Sequence, residues 1–162
     1  MACPVVRKIK EFGSYGELLR EVELPREVVN PLHAVQLLSG GGFVVCHGLP
    51  GDGVNRVCMV NSDGGQLVHS HGGHRGSEAG QYNGPVQLAV DKEAVYVIDH
   101  INRRVALLSA TLEFTRHVVS ANKFHGLPSR LCLDTQRRRL YVADNEIQEG
   151  KWIAGQVVVF SV

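Results

Sequence analysis

Long hydrophobic runs are missing from this 162-residue chain, whose longest apolar stretches span only a few positions. A membrane-spanning helix needs roughly 20 continuous apolar residues, so none is expected. Charge of one sign is also missing. Seventeen Lys and Arg face sixteen Asp and Glu, a formal net charge of +1 with His neutral, and that balance demands neither a nucleic acid nor a membrane surface as partner. Aromatic residues make up only 6% of the chain. The four cysteines, Cys3, Cys46, Cys58 and Cys132, include no CxxC pair and no regular extracellular spacing, so a reduced compartment and a cytoplasmic location are expected. After Met1-Ala2-Cys3-Pro4 the chain continues Val5-Val6-Arg7-Lys8, without the apolar core of about 7–15 residues that a secretory signal requires. Phosphate-loop, dinucleotide-binding and HExxH motifs are absent.

What the chain does have is glycine and short, recurring apolar runs. Eighteen glycines among 162 residues exceed the usual share of about 7%. The clearest unit begins Gly80-Gln81-Tyr82-Asn83-Gly84-Pro85 and continues through Val86-Gln87-Leu88-Ala89-Val90-Asp91, Ala94-Val95-Tyr96-Val97-Ile98-Asp99 and Asn102-Arg103-Arg104-Val105-Ala106-Leu107-Leu108. These apolar runs, divided by polar turns, predict adjacent antiparallel strands. A second copy contains Leu127-Pro128, Leu131-Cys132-Leu133-Asp134, Arg139-Leu140-Tyr141-Val142-Ala143-Asp144 and Gln156-Val157-Val158-Val159-Phe160, with Pro85 and Pro128 43 residues apart. An earlier, looser copy runs from Asn30-Pro31 through Phe43-Val44-Val45-Cys46 and Val57-Cys58-Met59-Val60 to Val68-His69. Val5–Ile9 and Leu18–Leu24 add two strands before these copies, so the chain begins out of phase with its repeat.

Units of this length cannot bury their apolar faces alone and must stack on neighbours, and four-stranded blades around an axis offer one solution. In Gly80-Gln81-Tyr82, Pro85, Val90-Asp91, Tyr96-Val97-Ile98-Asp99 and Asn102-Arg103-Arg104-Val105 the sequence resembles the NHL repeat family, as found in the C-terminal propeller of tripartite-motif proteins. The resemblance covers most of Pro31 to Phe160 and departs from the family in three places. Cys46 replaces the usual strand-ending Asp, Arg103 occupies the His-like place after Asn102, and Asn145–Ala154 replaces the compact turn of the third unit.

This resemblance implies an all-β fold of four-stranded NHL-like blades, about half of a six-bladed propeller per chain. Residues 1–24 are then an N-terminal half-blade with strands available for exchange, and residues 25–162 the blades. Two copies would close the ring as a C2 homodimer. Function is expected to be non-enzymatic protein or peptide recognition on one loop face. Single-stranded RNA binding and a mainly structural oligomerisation role remain the alternatives. The expected contact residues are Arg103, Arg104, Lys123, His125, Lys151 and Trp152, which combine cations with an aromatic ring. Arg137-Arg138-Arg139 is the densest basic run, but it is expected at the opposite end as a solvated hairpin turn.

Catalytic and metal readings find less support. Cys46 and His47 are sequence neighbours with no identifiable orienting carboxylate or oxyanion site. His69, His71 and His74 have zinc-like spacing, but the end of an outer strand also tolerates histidine as a surface residue, and no metal or cofactor is expected. Asp99 and Asp144 are expected to accept turn hydrogen bonds near Asn102 and Asn145.

Overall fold

The computed structural model describes residues 7–37, 42–62, 65–92, 94–149 and 151–162. Alternating apolar residues and glycine-rich turns produce an all-β chain. β1 (Lys8–Phe12) and β2 (Leu18–Glu23) form a two-stranded sheet. A four-stranded sheet follows, built in chain order from β3 (Pro31–Gln36), β4 (Phe43–His47), β5 (Val54–Val60) and β6 (Leu67–His74). Next come β7 (Pro85–Val90), β8 (Ala94–Asp99), β9 (Arg104–Ser109) and β10 (Phe114–Val119) in a second four-stranded sheet. A short 3-10 turn at Ala121–Lys123 leads into β11 (Leu127–Asp134), β12 (Arg139–Gln148) and β13 (Lys151–Ser161), which make a three-stranded sheet. Every pairing is antiparallel between strands consecutive in sequence.

The period of two explains how the sheets share their cores. On β4, Val44 and Cys46 join a cluster with Val57, Tyr82, Leu88, Val95, Val97 and Leu108. Phe43 and Val45 instead join Val22, Leu24, Val28, Cys58 and Val60. On β8, Val95 and Val97 belong to the first of these cores, whereas Tyr96 and Ile98 join Val105, Phe124, Leu131, Leu140 and Val142 in a third. β4 is therefore buried along its whole length, and β8 along all but its first residue. At roughly 25 cal/mol per Å² of apolar surface, these three cores are the main source of stability.

The propeller expectation is not met. The structure consists of four separate open antiparallel sheets, none closed or curled, rather than blades of a ring. The 43-residue spacing reports that similar sheets recur, and the strand order within each is as the apolar runs suggest. Recurrence alone does not close a ring, which would require the first and last sheets to meet. Among the described residues no strand pairs with a strand of another sheet. The half-propeller per chain and the homodimer that would complete it fall together. No helix is long and apolar enough to cross a membrane among the described residues.

Candidate functional site

Each larger sheet starts with the same local device. Pro31, Pro85 and Pro128 lie opposite His47, Asp99 and Asp144, and in each case the register then slips by one residue. Proline has no N–H to give the ladder, so the first position of a strand followed by a bulge suits it. The slip corrects the sequence alignment: His47, not Cys46, occupies the place of the strand-ending Asp. The first two bulges also aim the next side chain across to the following sheet. His33 Nδ1 accepts the Leu88 N–H at 3.3 Å, and Gln87 Oε1 accepts the Leu131 N–H at 3.0 Å.

Asp99 sits at the end of β8 with its side chain wholly buried. It accepts the Asn83 N–H at 2.7 Å, Asn102 Nδ2 at 2.8 Å and Arg104 Nε at 2.8 Å. Arg104, 12% exposed at its side chain, donates onward to the carbonyls of Ser77 at 2.7 Å, Gln81 at 2.8 Å and Glu78 at 3.3 Å. Asn102 adds a bond to the Gly76 carbonyl at 2.8 Å. The network staples the 76–83 segment to the sheet, so Arg104 is committed to internal carbonyls and one carboxylate.

Asp144 performs the related task on β12. It accepts the His125 and Gly126 N–H groups at 2.8 and 3.0 Å, and Gln156 Nε2 at 2.9 Å. Both acids thus receive backbone donors from the segment arriving at their sheet; Asn102 contributes only its side-chain amide, and Asn145 bonds to Ser129 instead. His47 cannot take this role and lies buried with Nε2 3.3 Å from the Cys58 sulfur. Asp52 supplies the carboxylate there, accepting Asn30 Nδ2 at 2.9 Å and the Leu49 N–H at 2.8 Å.

The remaining expected contact residues are dispersed along this end of the sheets. Arg103 is exposed in the β8–β9 turn with φ of 49°. Lys123 and His125 are exposed just before β11, and Lys151 is exposed at the start of β13. The side chain of Trp152 lies outside the described residues. His125 lines a cavity of about 240 Å³ together with Asp144, Glu146, Ala154, Gly155 and Gln156. With the propeller absent, the NHL-type loop face proposed for protein, peptide or RNA recognition has no architecture to carry it.

A larger cleft of about 420 Å³ opens at the opposite end, where the β7–β8 and β11–β12 turns lie side by side. Its lining is Asp91, Lys92, Tyr96, Leu133, Thr135, Arg138 and Val162. Asp91 accepts the Ala94 N–H at 2.8 Å and so fixes the first turn. Asp134 does the same for the second through the Arg137 N–H at 2.9 Å, a bond that, with the Arg137 guanidinium, holds its pKa below the usual carboxylate value. Arg138 is held in the left-handed region with φ of 52° and donates through Nε to the Val162 carbonyl at 2.8 Å. Tyr96 is nearly buried, and burial together with nearby Asp91 raises its hydroxyl pKa, against the opposing charge of Arg138. Sequence reading placed Arg138 at this end but gave it only a solvated turn. The matching Asp91-Lys92 and Asp134-Thr135 turn positions were the available signal that the two turns would line one cleft.

Nucleophile chemistry finds no support in Cys46 or Cys58. Burial pushes the Cys46 thiol up to about 12 and the Cys58 thiol up to about 11, away from the reactive thiolate. Cys132 is exposed and free. No group of three or more His, Cys, Asp or Glu side chains is disposed to hold a metal among the described residues, and His71 is instead engaged with aromatic rings.

No family model matches the chain, and no curated protein matches it. Among solved structures it is similar to a protein of unknown function from Bacteroides caccae, with 14% sequence identity and a TM-score of 0.53. That alignment covers 93% of this chain and 54% of the other, so the chain spans about half the length of the structure it matches. The likeness is one of fold.

Proposed function

We propose that this chain is a non-catalytic binding protein whose ligand is a small anion with an apolar body, seated in the cleft between the β7–β8 and β11–β12 turns. The carrying observation is the convergence of Lys92, Arg138, Thr135 and the Tyr96 ring on a cleft of about 420 Å³. That volume lies within the roughly 300–1,000 Å³ typical of ligand sites, and Lys92 and Arg138 outnumber its one carboxylate, Asp91, whereas the cavity beside His125 is smaller and lined by two carboxylates and neither Lys nor Arg. Arg138 offers a planar donor set suited to a carboxylate, and Lys92 adds a mobile positive charge. Leu133, Val162 and the face of Tyr96 give an aromatic or branched aliphatic body somewhere to rest. The absence of catalysis is supported by the burial of Cys46 and Cys58 and by the commitment of Asp99 and Asp144 to backbone donors.

Benzoate and benzylamine, titrated separately into labelled protein, distinguish this ligand class. Benzoate should shift the amide resonances of Lys92, Thr135 and Arg138, with affinity near 1 mM as expected for so small a ligand. Lys92→Gln/Arg138→Gln should abolish those shifts and leave the spectrum of the β3–β6 sheet unchanged. Equal responses to both probes, or benzoate shifts centred elsewhere, would overturn the assignment.

A further inference from the structure

We propose that His71 and His117, together with Phe114 between them, form a pH-sensitive latch that holds β6 of one sheet to β10 of the next. His71 comes from β6, an outer strand that among the described residues is hydrogen-bonded only to β5. Its ring stacks on Phe114 of β10, with centroids 6.2 Å apart and planes 9° from parallel. His117, three positions along β10, meets the same Phe114 edge-on at 5.0 Å. On the other side, Tyr82 approaches His71 edge-on at 5.7 Å. Tyr82 belongs to the segment arriving at β7 and is only 1% exposed within the core shared by the two sheets. The imidazole of His71 therefore lies at the rim of that core and adds a contact between the outer strands of the two sheets.

The arrangement suits a neutral ring. His71 Nε2 is buried without a hydrogen-bond partner, and a side-chain carbon added at Gly80 would come within 3.6 Å of it. Protonation places a second N–H and a full charge against that cover, where no acceptor compensates for lost water. The surrounding groups do not rescue it. The arriving segment presents the neutral Tyr82 hydroxyl, itself unpartnered, and β10 presents His117, which becomes a second cation in acid. Beyond them, Asp99 of β8 already accepts Asn83, Asn102 and Arg104, while Arg104 of β9 contributes positive charge near His117. On the paired strand, Arg56 stands opposite Gly72, and on β6 itself His69 lies two positions away. Burial lowers the pKa of both His71 and His117 from the ordinary 6.5. The latch is consequently closed above that pH and loosens as pH falls below it, because the loosened form takes up protons more readily.

The wild-type protein carries the first test. Imidazole resonances followed from pH 8 to pH 4.5 should show His71 titrating below 6.5; titration at or above 6.5 overturns the latch. Amide exchange supplies the second. Protection factors for Tyr82 and Asn83, corrected for the intrinsic pH dependence of exchange, should fall by up to about tenfold per pH unit below 6.5 and level off once the closed-form His71 is itself protonated. Those for Val142 on β12 should hold. His71→Phe should keep Tyr82 and Asn83 protected at pH 5.5, and His71→Gln supplies a second non-titrating side chain. A parallel loss of protection in wild type and in whichever variant folds refutes the proposal, and so does wild-type protection that does not change with pH.

Discussion

Replacing Arg104 by methionine keeps much of the hydrocarbon stem but removes the charge facing Asp99. The cost follows from the geometry: a 2.8 Å ion pair is lost at a carboxylate whose side chain has no solvent exposure. Removing one partner of a buried pair generally costs about 3–5 kcal/mol, because the other charge stays behind. Asp99 retains the Asn83 N–H and Asn102 Nδ2, and the carbonyls of Ser77 and Glu78 can turn to water. The lower end, about 3 kcal/mol, is therefore expected, against a typical total stability of about 5–15 kcal/mol. With a urea dependence of about 2 kcal/mol per molar, the unfolding midpoint should fall by about 1.5 M. The neighbouring Arg103→Met, at an exposed position, should change stability by less than about 0.5 kcal/mol. Asp99→Asn/Arg104→Met should cost less than the sum of the two single changes. A loss below about 1 kcal/mol for Arg104→Met, or additivity in the double variant, would refute the account of the 76–83 segment as held by this network.

Acid should weaken the fold before carboxylates titrate. Burial lowers the pKa values of His33, His47, His71 and His117, so the unfolded chain binds more protons as pH falls through 6.5. Stability measured by urea unfolding should be full above that value and decline below it, with an upper bound of about 1.4 kcal/mol per pH unit for fully buried His47 and less for the partly exposed three. A flat midpoint from pH 7.5 to pH 5 contradicts this. Brief alkylation of native protein, mapped by peptide mass, should modify Cys132 and spare Cys46 and Cys58, whereas unfolding should expose all three. Gly48→Ala should destabilise by at least about 1–3 kcal/mol on conformation alone, since φ is 93° and the added carbon lies 2.1 Å from the Val54 carbonyl oxygen; thermal unfolding reads that loss directly.

The strands were legible because their physics is local. Alternation at Val95-Tyr96-Val97-Ile98 sends successive side chains to two cores, and glycine or Asp-led turns mark where each run stops. What failed was long range. A repeat distance carries no information on whether the outermost sheets meet, so an open series was read as part of a ring. Register failed on a smaller scale: strand pairing sets His47, not Cys46, opposite Pro31, which the apolar run Phe43-Val44-Val45-Cys46 does not reveal. A carboxylate partner for Arg104 was legible from the sequence, but its carbonyl acceptors, Ser77, Glu78 and Gln81, lie more than twenty positions earlier and were not. The cleft around Arg138 and Lys92 required two distant turns to be neighbours, which no single run of residues reveals.

The side chains aimed by the bulges have a consequence for cooperativity. His33 ties the second sheet to the third and Gln87 the third to the fourth, each through one backbone N–H of the receiving strand. Order is thereby handed from neighbour to neighbour, in the manner of a one-dimensional array rather than a single indivisible nucleus. Damage to one sheet should be felt strongly by the next and faintly beyond it, so that amides open in groups that follow sheet boundaries.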